Sequence, residues 1–228
     1  MVHGKWLHTK WFDYCFLGVG LLIQVVTFTI TNNLSTFDYR LSTISLISGC
    51  LGVCSVCLTA QGNILMYAFG FAQVGTYTYL CLTQRFYAEI AINIYYFFTM
   101  IYGVYAWRKR LQGDTKTIAP QRLSWPAAIC IMLVTLLGSW LVGWGLATFT
   151  DDTQPYLDAF TTVPALVAQV LMILVYREHW FIWLAVDILS VVLWLRAGDY
   201  CLAAQYAFWC ANCLYGLYRW RSLGISKV

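Results

Sequence analysis

The heptapeptide Tyr102-Gly103-Val104-Tyr105-Ala106-Trp107-Arg108 returns as Tyr215-Gly216-Leu217-Tyr218-Arg219-Trp220-Arg221, with five of seven positions identical at an offset of 113 residues. Each copy closes an apolar run and opens a basic segment. Self-similarity at a fixed period constrains architecture before any single motif does, and in a membrane protein it points to a transporter built from repeats, with its site between them. The chain is therefore expected to contain two equivalent halves.

What the halves are made of follows from hydropathy. With 61% hydrophobic and 11% charged residues and a mean hydropathy of +0.66, the chain has too few charges to cover a soluble globule. Eight apolar stretches, near 14–30, 41–60, 64–82, 86–107, 127–149, 157–175, 180–196 and 200–219, each approach the ~20 residues that cross a hydrocarbon core. They are continuously apolar and do not alternate at period two. Helices are thus favoured over a barrel, because backbone groups in lipid must be satisfied within the segment.

The expected fold is an all-α integral membrane protein with about eight transmembrane helices. Setting the first helix aside, the repeat divides the other seven as three, one and three. Three crossings bring the chain to the opposite side, so a single linker helix is needed before a second unit can start on the same side as the first. The bundles are then parallel repeats. The corresponding boundaries are 1–36 for the extra N-terminal helix, 37–111 for bundle 1, 112–152 for a loop and linker helix, 153–222 for bundle 2, and 223–228 for a tail. Under this scheme eleven of the fourteen Lys and Arg residues fall on one side and only Arg40, Arg85 and Arg196 on the other. Lys and Arg accumulate on the cytoplasmic side, which predicts cytoplasmic termini.

Nine Cys residues lie almost entirely within the apolar runs and read as small packing residues. Cys54-x-x-Cys57 and Cys210-x-x-Cys213 lack a nearby His or second pair, so no metal site is expected. No Gly-Lys-Ser or Gly-Lys-Thr phosphate loop, paired intramembrane His or nucleophile beside a base is present, and neither an enzyme nor a cofactor is expected. The net charge of +4 reports orientation and not nucleic-acid binding.

Polar residues inside the runs mark a candidate site. In the first unit these are Gln73, then Asn93 and Tyr96 three apart on one helix face. In the second, Gln169 lies two turns after Thr162; Trp183, Asp187, Ser190 and Trp194 recur at 4, 3 and 4, as do Gln205, Trp209, Asn212 and Gly216. Such spacing lines one side of a helix. A mid-membrane carboxylate costs about 2.5–3.5 kcal/mol on insertion scales and should face the bundle interior. At an offset of 114 Asp187 matches Gln73, and at 113 Trp209 matches Tyr96, so polar and aromatic groups are expected to converge from both halves. Trp107 and Trp220, beside Arg, are expected to anchor at the membrane interface. His179, flanked by Arg177 and Glu178, is expected to be solvated.

Ala60-Gln61-Gly62-Asn63 leading into Tyr67 to Tyr79, the two Tyr-Gly-x-Tyr-x-Trp-Arg endings, Trp180-Phe-Ile-Trp-Leu-Ala-Val-Asp187-Ile-Leu-Ser190, and Gln205 to Trp220 together resemble the PnuC family of nicotinamide riboside transporters. The resemblance covers about 40–220 and leaves the first helix out. It implies a three-plus-one-plus-three fold akin to the SWEET transporters, a homotrimer in a bacterial inner membrane, and a site between the bundles. It further implies uptake by facilitated diffusion, made one-way by a cytosolic kinase. Relatives associated with thiamine or riboflavin leave the vitamin open, as Asp187 leaves proton coupling open. On this reading the substrate-binding residues are Gln73, Asn93, Tyr96, Gln169, Trp183, Asp187, Trp209 and Asn212.

Overall fold

The computed structural model describes residues 9–33, 39–85, 87–111, 117–151, 154–198 and 200–225. These form eight helices: α1 (Lys10–Asn33), α2 (Tyr39–Ala60), α3 (Met66–Gln84), α4 (Tyr87–Arg108), α5 (Trp125–Phe149), α6 (Pro155–Ile173), α7 (His179–Ala197) and α8 (Tyr200–Ile225). Local chemistry sets several boundaries. The Ser124 hydroxyl accepts from the Ala127 N–H at 3.4 Å ahead of Pro126, and Pro155 opens α6, where its missing N–H costs nothing.

Six helices, α1, α2, α4, α5, α6 and α7, are long and apolar enough to cross a membrane by length and composition. The expected eight helices are present, but α3 and α8 fall short of that criterion. The reason lies in their residues: α3 carries Gln73, Thr76, Tyr77 and Thr78, and α8 carries Gln205, Asn212, Arg219 and Arg221. Neither helix relies on its own hydropathy, since α3 packs along α2 and α4, and α8 packs along α7, α2 and α1.

The helices of the two units close into a ring, α2–α3–α4 followed by α6–α7–α8, with α4 against α6 and α8 against α2 completing it. The linker α5 packs on α6 outside the ring, and α1 packs on α2 and α8. Apolar side chains on α5 such as Leu133, Val134 and Leu137 stay exposed, which in water would be costly and in lipid is not. At the start of α1, Asp13 accepts a hydrogen bond from the Tyr215 hydroxyl and pairs with Arg219 at 3.6 Å. The start of α1 and the end of α8 therefore lie at the same end of the ring, called here the motif end.

The 113-residue repeat is a repeat of backbone conformation. The positive-φ residues among those described are Gly62 (68°) and Val175 (65°) after the first helix of each unit, and Arg85 (60°) and Gly198 (77°) after the second. Each pair is separated by the repeat offset. In each, one copy is glycine and the other carries a side chain in a region that disfavours it. The helix-to-helix turns repeat in their bonding too: the Asn63 N–H donates to Leu58 O and the Tyr176 N–H to Leu171 O, both at 2.9 Å.

The repeated glycine has a packing reason. A methyl at Gly216 would enter the Trp180 ring, and one at Gly103 would meet the Tyr67 side chain and, at 2.9 Å, Ile173. Overpacking of this kind costs about 1–3 kcal/mol. Gly216→Ala and Gly103→Ala are expected to lower the melting transition of the detergent-purified protein correspondingly. Gly75→Ala and Gly145→Ala, where nothing lies within 4 Å of the added methyl, are expected to leave it unchanged or slightly raised in scanning fluorimetry.

Candidate functional site

Between the bundles the ring encloses a cavity of about 290 Å³. Each of its six helices contributes a polar or aromatic side chain: Ser55 and Thr59 from α2, Gln73 from α3, Tyr96 from α4, Gln169 from α6, Trp183 and Asp187 from α7, and Tyr206, Trp209 and Asn212 from α8. A concave, largely apolar space with a few convergent polar groups is the usual form of a small-molecule site.

Seven of the eight residues singled out from the sequence line this space; Asn93 does not. Its side chain is 3% exposed, and its Nδ2 donates to the Glu89 carbonyl, one turn back on its own helix, at 2.7 Å. The cavity follows α4 from Tyr96 to Met100 and stops short of the preceding turn. Tyr206, His179 and Trp180 line it as well without having been singled out. Tyr206 stands three residues before Trp209 and six before Asn212, a face overlooked because the neighbouring Gln205 completes a cleaner pattern.

Two sequence expectations are corrected at the motif end. Trp107 and Trp220 are not interfacial anchors: both are 0% exposed. The Trp107 indole donates to Met172 O at 3.1 Å and the Trp220 indole to Thr59 O at 2.8 Å. Thr59 and Met172 are themselves 113 residues apart, so the bonds form a crossed pair, each running from one half to the first helix of the other. Nor is His179 solvated. It is fully buried, with ring centroids 4.5 Å from Trp180 and 4.6 Å from Trp220. Tyr67 packs edge-on to Trp107, which packs edge-on to Trp220, and these aromatic rings close the motif end of the cavity.

A strap lies beneath this floor. The Ile118 N–H donates to Gly62 O at 3.0 Å, the Gln121 N–H to Val175 O at 2.8 Å, and the Arg177 N–H to Gln121 O at 3.1 Å. The extended segment after α4 thus ties together the two left-handed turns. The basic segment after α4 therefore folds back and brings Ile118 into the buried cluster with Trp107, Trp180 and Trp220.

The cavity is symmetric in position and asymmetric in chemistry. Seven repeat-related pairs line it: Val56 with Gln169, Thr59 with Met172, Met66 with His179, Gly70 with Trp183, Val74 with Asp187, Tyr96 with Trp209, and Met100 with Cys213. In this register Asp187 is opposite Val74, not Gln73, which corrects the expected polar match. Most groups able to read a ligand belong to the second unit, whereas the first adds Ser55, Thr59, Gln73 and Tyr96 to an otherwise small and apolar surface. The seams between units obey the same register. Gln169 Nε2 donates to Thr99 Oγ1 and Asn212 Nδ2 donates to the Val56 carbonyl, both at 3.3 Å.

Asp187 is 6% exposed, and its Oδ2 accepts from Cys213 Sγ at 3.3 Å. No Lys or Arg is among the described residues lining the cavity. A lone carboxylate among aromatic rings suits a cationic ligand and opposes an anionic one.

Comparison with known proteins gives this arrangement a family. The sequence model of the nicotinamide mononucleotide transporter family matches residues 42–222. The chain belongs to this family. Among the relatives of this family member is a nicotinamide riboside transporter PnuC from Haemophilus influenzae, 29% identical over 217 residues, covering 94% of this chain and 91% of the relative. Another, from Neisseria mucosa, is 30% identical over 236 residues and covers 96% and 83%. A crystal structure described as that of the vitamin B3 transporter PnuC superposes with a TM-score of 0.76 at 27% identity, covering 96% of this chain and 94% of the other. This member is accordingly a multi-pass membrane transporter and not an enzyme. The family model begins after α1, yet matches covering 94% and 96% of the chain leave too few residues over to exclude that helix.

The crossed indole bonds can be tested apart from transport. Losing a buried hydrogen bond costs about 0.5–1.5 kcal/mol, and each acceptor here keeps a second donor, since the Gly62 N–H also donates to Thr59 O and the Val175 N–H to Met172 O. Trp107→Phe and Trp220→Phe should therefore each lower thermal stability by a similar amount. A wild-type transition for either variant would show that the crossed bonds do not hold the halves together.

Proposed function

We infer that this protein carries nicotinamide riboside across a bacterial inner membrane by facilitated diffusion. The observation carrying the reading is the cavity between the bundles, which Asp187, Trp183, Trp209 and Tyr96 line together without a lining Lys or Arg among the described residues. Nicotinamide riboside has a cationic pyridinium ring, a carboxamide and a ribose. The aromatic side chains offer stacking and cation–π attraction worth about 0.5–2 kcal/mol, and Asp187 offsets the charge. Gln73, Gln169 and Asn212 supply donors and acceptors for the ribose and the carboxamide.

The family description names the mononucleotide, whereas the curated relatives are named for the riboside. Electrostatics favours the riboside, because a phosphate would enter a buried space whose fixed charge is a carboxylate. The same argument accounts for one-way uptake: once a cytosolic kinase phosphorylates the riboside, the product no longer fits the site. Lys10, Arg108, Lys109, Arg110, Arg122, Arg177, Arg219 and Arg221 fall at the motif end of the helices, so that end, with both chain termini, is assigned to the cytoplasm. Exposed apolar faces such as that of α5 are available to lipid and to neighbouring copies in a homotrimer.

The test is calorimetric titration of the detergent-purified protein with nicotinamide riboside, thiamine, riboflavin and nicotinamide mononucleotide. Riboside binding with rejection of the mononucleotide is expected, and preference for another vitamin would overturn the substrate. Asp187→Asn and Trp183→Ala should each weaken riboside binding about tenfold or more, the equivalent of ~1.4 kcal/mol. Asn93→Ala, turned away from the cavity, should leave it within about twofold.

A further inference from the structure

His179 opens α7, and its Nδ1 lies 2.6 Å from the Tyr176 carbonyl oxygen. A carbonyl only accepts, so Nδ1 carries the proton. In the neutral ring, enclosed by two indoles, Nε2 is then left as a bare acceptor. It is buried and has no hydrogen-bond partner among the described residues, as is also true of the Trp180 indole N–H next to it. Unpaired buried polar atoms are costly. The two residues that carry them, His179 and Trp180, both line the cavity, with ring centroids 4.5 Å apart.

The spacing along α7 gives these atoms a role. His179, Trp183 and Asp187 follow one another at intervals of four and so form a ladder on one helix face, roughly 12 Å from first to last at the α-helical rise. The repeat-related ladder on α3 is Met66, Gly70 and Val74, which presents apolar surface and no competing hydrogen bond. A ligand lying along α7 with its cationic ring at Trp183 and Asp187 directs its longer arm at His179. The carboxamide is attached directly to the ring. The primary hydroxyl lies at the far end of the sugar.

Resting on the nucleoside reading above, we propose that His179 is the specificity-determining acceptor for the sugar's primary hydroxyl, with the Trp180 indole N–H donating to the same oxygen. An acceptor at this point also distinguishes a nucleoside from a nucleotide. A hydroxyl donates to Nε2, whereas an ionised phosphate has only lone pairs to oppose to it.

The experiment compares nicotinamide riboside with its 5′-deoxy analogue on wild-type protein and on His179→Asn, a variant that keeps a donor for the Tyr176 carbonyl and removes Nε2. Wild-type protein should bind the deoxy analogue about tenfold more weakly, and in His179→Asn the difference should fall below about threefold. Equal binding of the two ligands by wild-type protein overturns the assignment, as does a preference that survives intact in the variant. A riboside analogue with an acetyl group in place of the carboxamide distinguishes the other orientation. If it, and not the deoxy compound, becomes insensitive to His179→Asn, the acceptor serves the amide and the hydroxyl assignment is wrong. Should the variant not assemble, nitrogen NMR of the wild-type imidazoles decides: the Nε2 resonance moves on adding riboside and stays in place with the deoxy analogue. Failure of wild-type protein to bind riboside at all would instead remove the transport reading itself.

Discussion

Two indole N–H groups hold this molecule's halves in register. Trp107 donates to the last turn of α6 and Trp220 to the last turn of α2, so each unit ends by gripping the beginning of the other. Around that crossed pair the other repeated features fall into place. Gly103 and Gly216 leave room for Tyr67 and Trp180, and Gly62 and Val175 turn the chain so that the acceptor carbonyls are presented to the indoles. Val175 tolerates a conformation that suits glycine better. The surrounding bonds fix the backbone there, and the side chain accommodates it.

Much of this was legible in the amino-acid order. Continuous apolar runs located the eight helices to within a few residues, and the repeated heptapeptide identified which helices correspond. Of the residues at 4, 3 and 4 spacing on α7 and α8, Trp183, Asp187, Trp209 and Asn212 met in one cavity because helical periodicity fixes which side chains share a face, whereas Ser190, Trp194, Gln205 and Gly216 do not line it. What remained hidden depended on chain segments returning from far away. Trp107, Trp220 and His179 sit beside Arg at the ends of apolar runs, a setting that by itself indicates an interface. Trp107 and Trp220 share a buried cluster with Ile118, which the returning segment brings in, and His179 packs between Trp180 and Trp220. Asn93 shares a face with Tyr96 as expected, but a bond to its own helix consumes its side chain, and the cavity stops one turn short. The Gln73 and Asp187 match failed on a single residue of register, which is enough to rotate a helical position by about 100°.

A symmetric frame carrying one-sided chemistry divides labour between the units. Gln169, His179, Trp183 and Asp187 replace Val56, Met66, Gly70 and Val74. The second unit thereby holds most of the groups that recognise a ligand, and the first adds Ser55, Thr59, Gln73 and Tyr96 to a smaller, more apolar surface. For a carrier that binds and then lets go, this lowers the number of interactions to be undone at each crossing.

The strap acts as a ruler. Ile118 and Gln121 are three residues apart, and a chain of that length spans at most about 10–11 Å. The turns they hold, at Gly62 and Val175, are equivalent points on the two units, so their separation at the motif end is capped by a covalent tether. No wider aperture can form there until the strap lets go of one turn, either at the Ile118 bond to Gly62 or at the bonds that Gln121 makes with Val175 and Arg177, which makes release of the strap a discrete event and not a gradual widening.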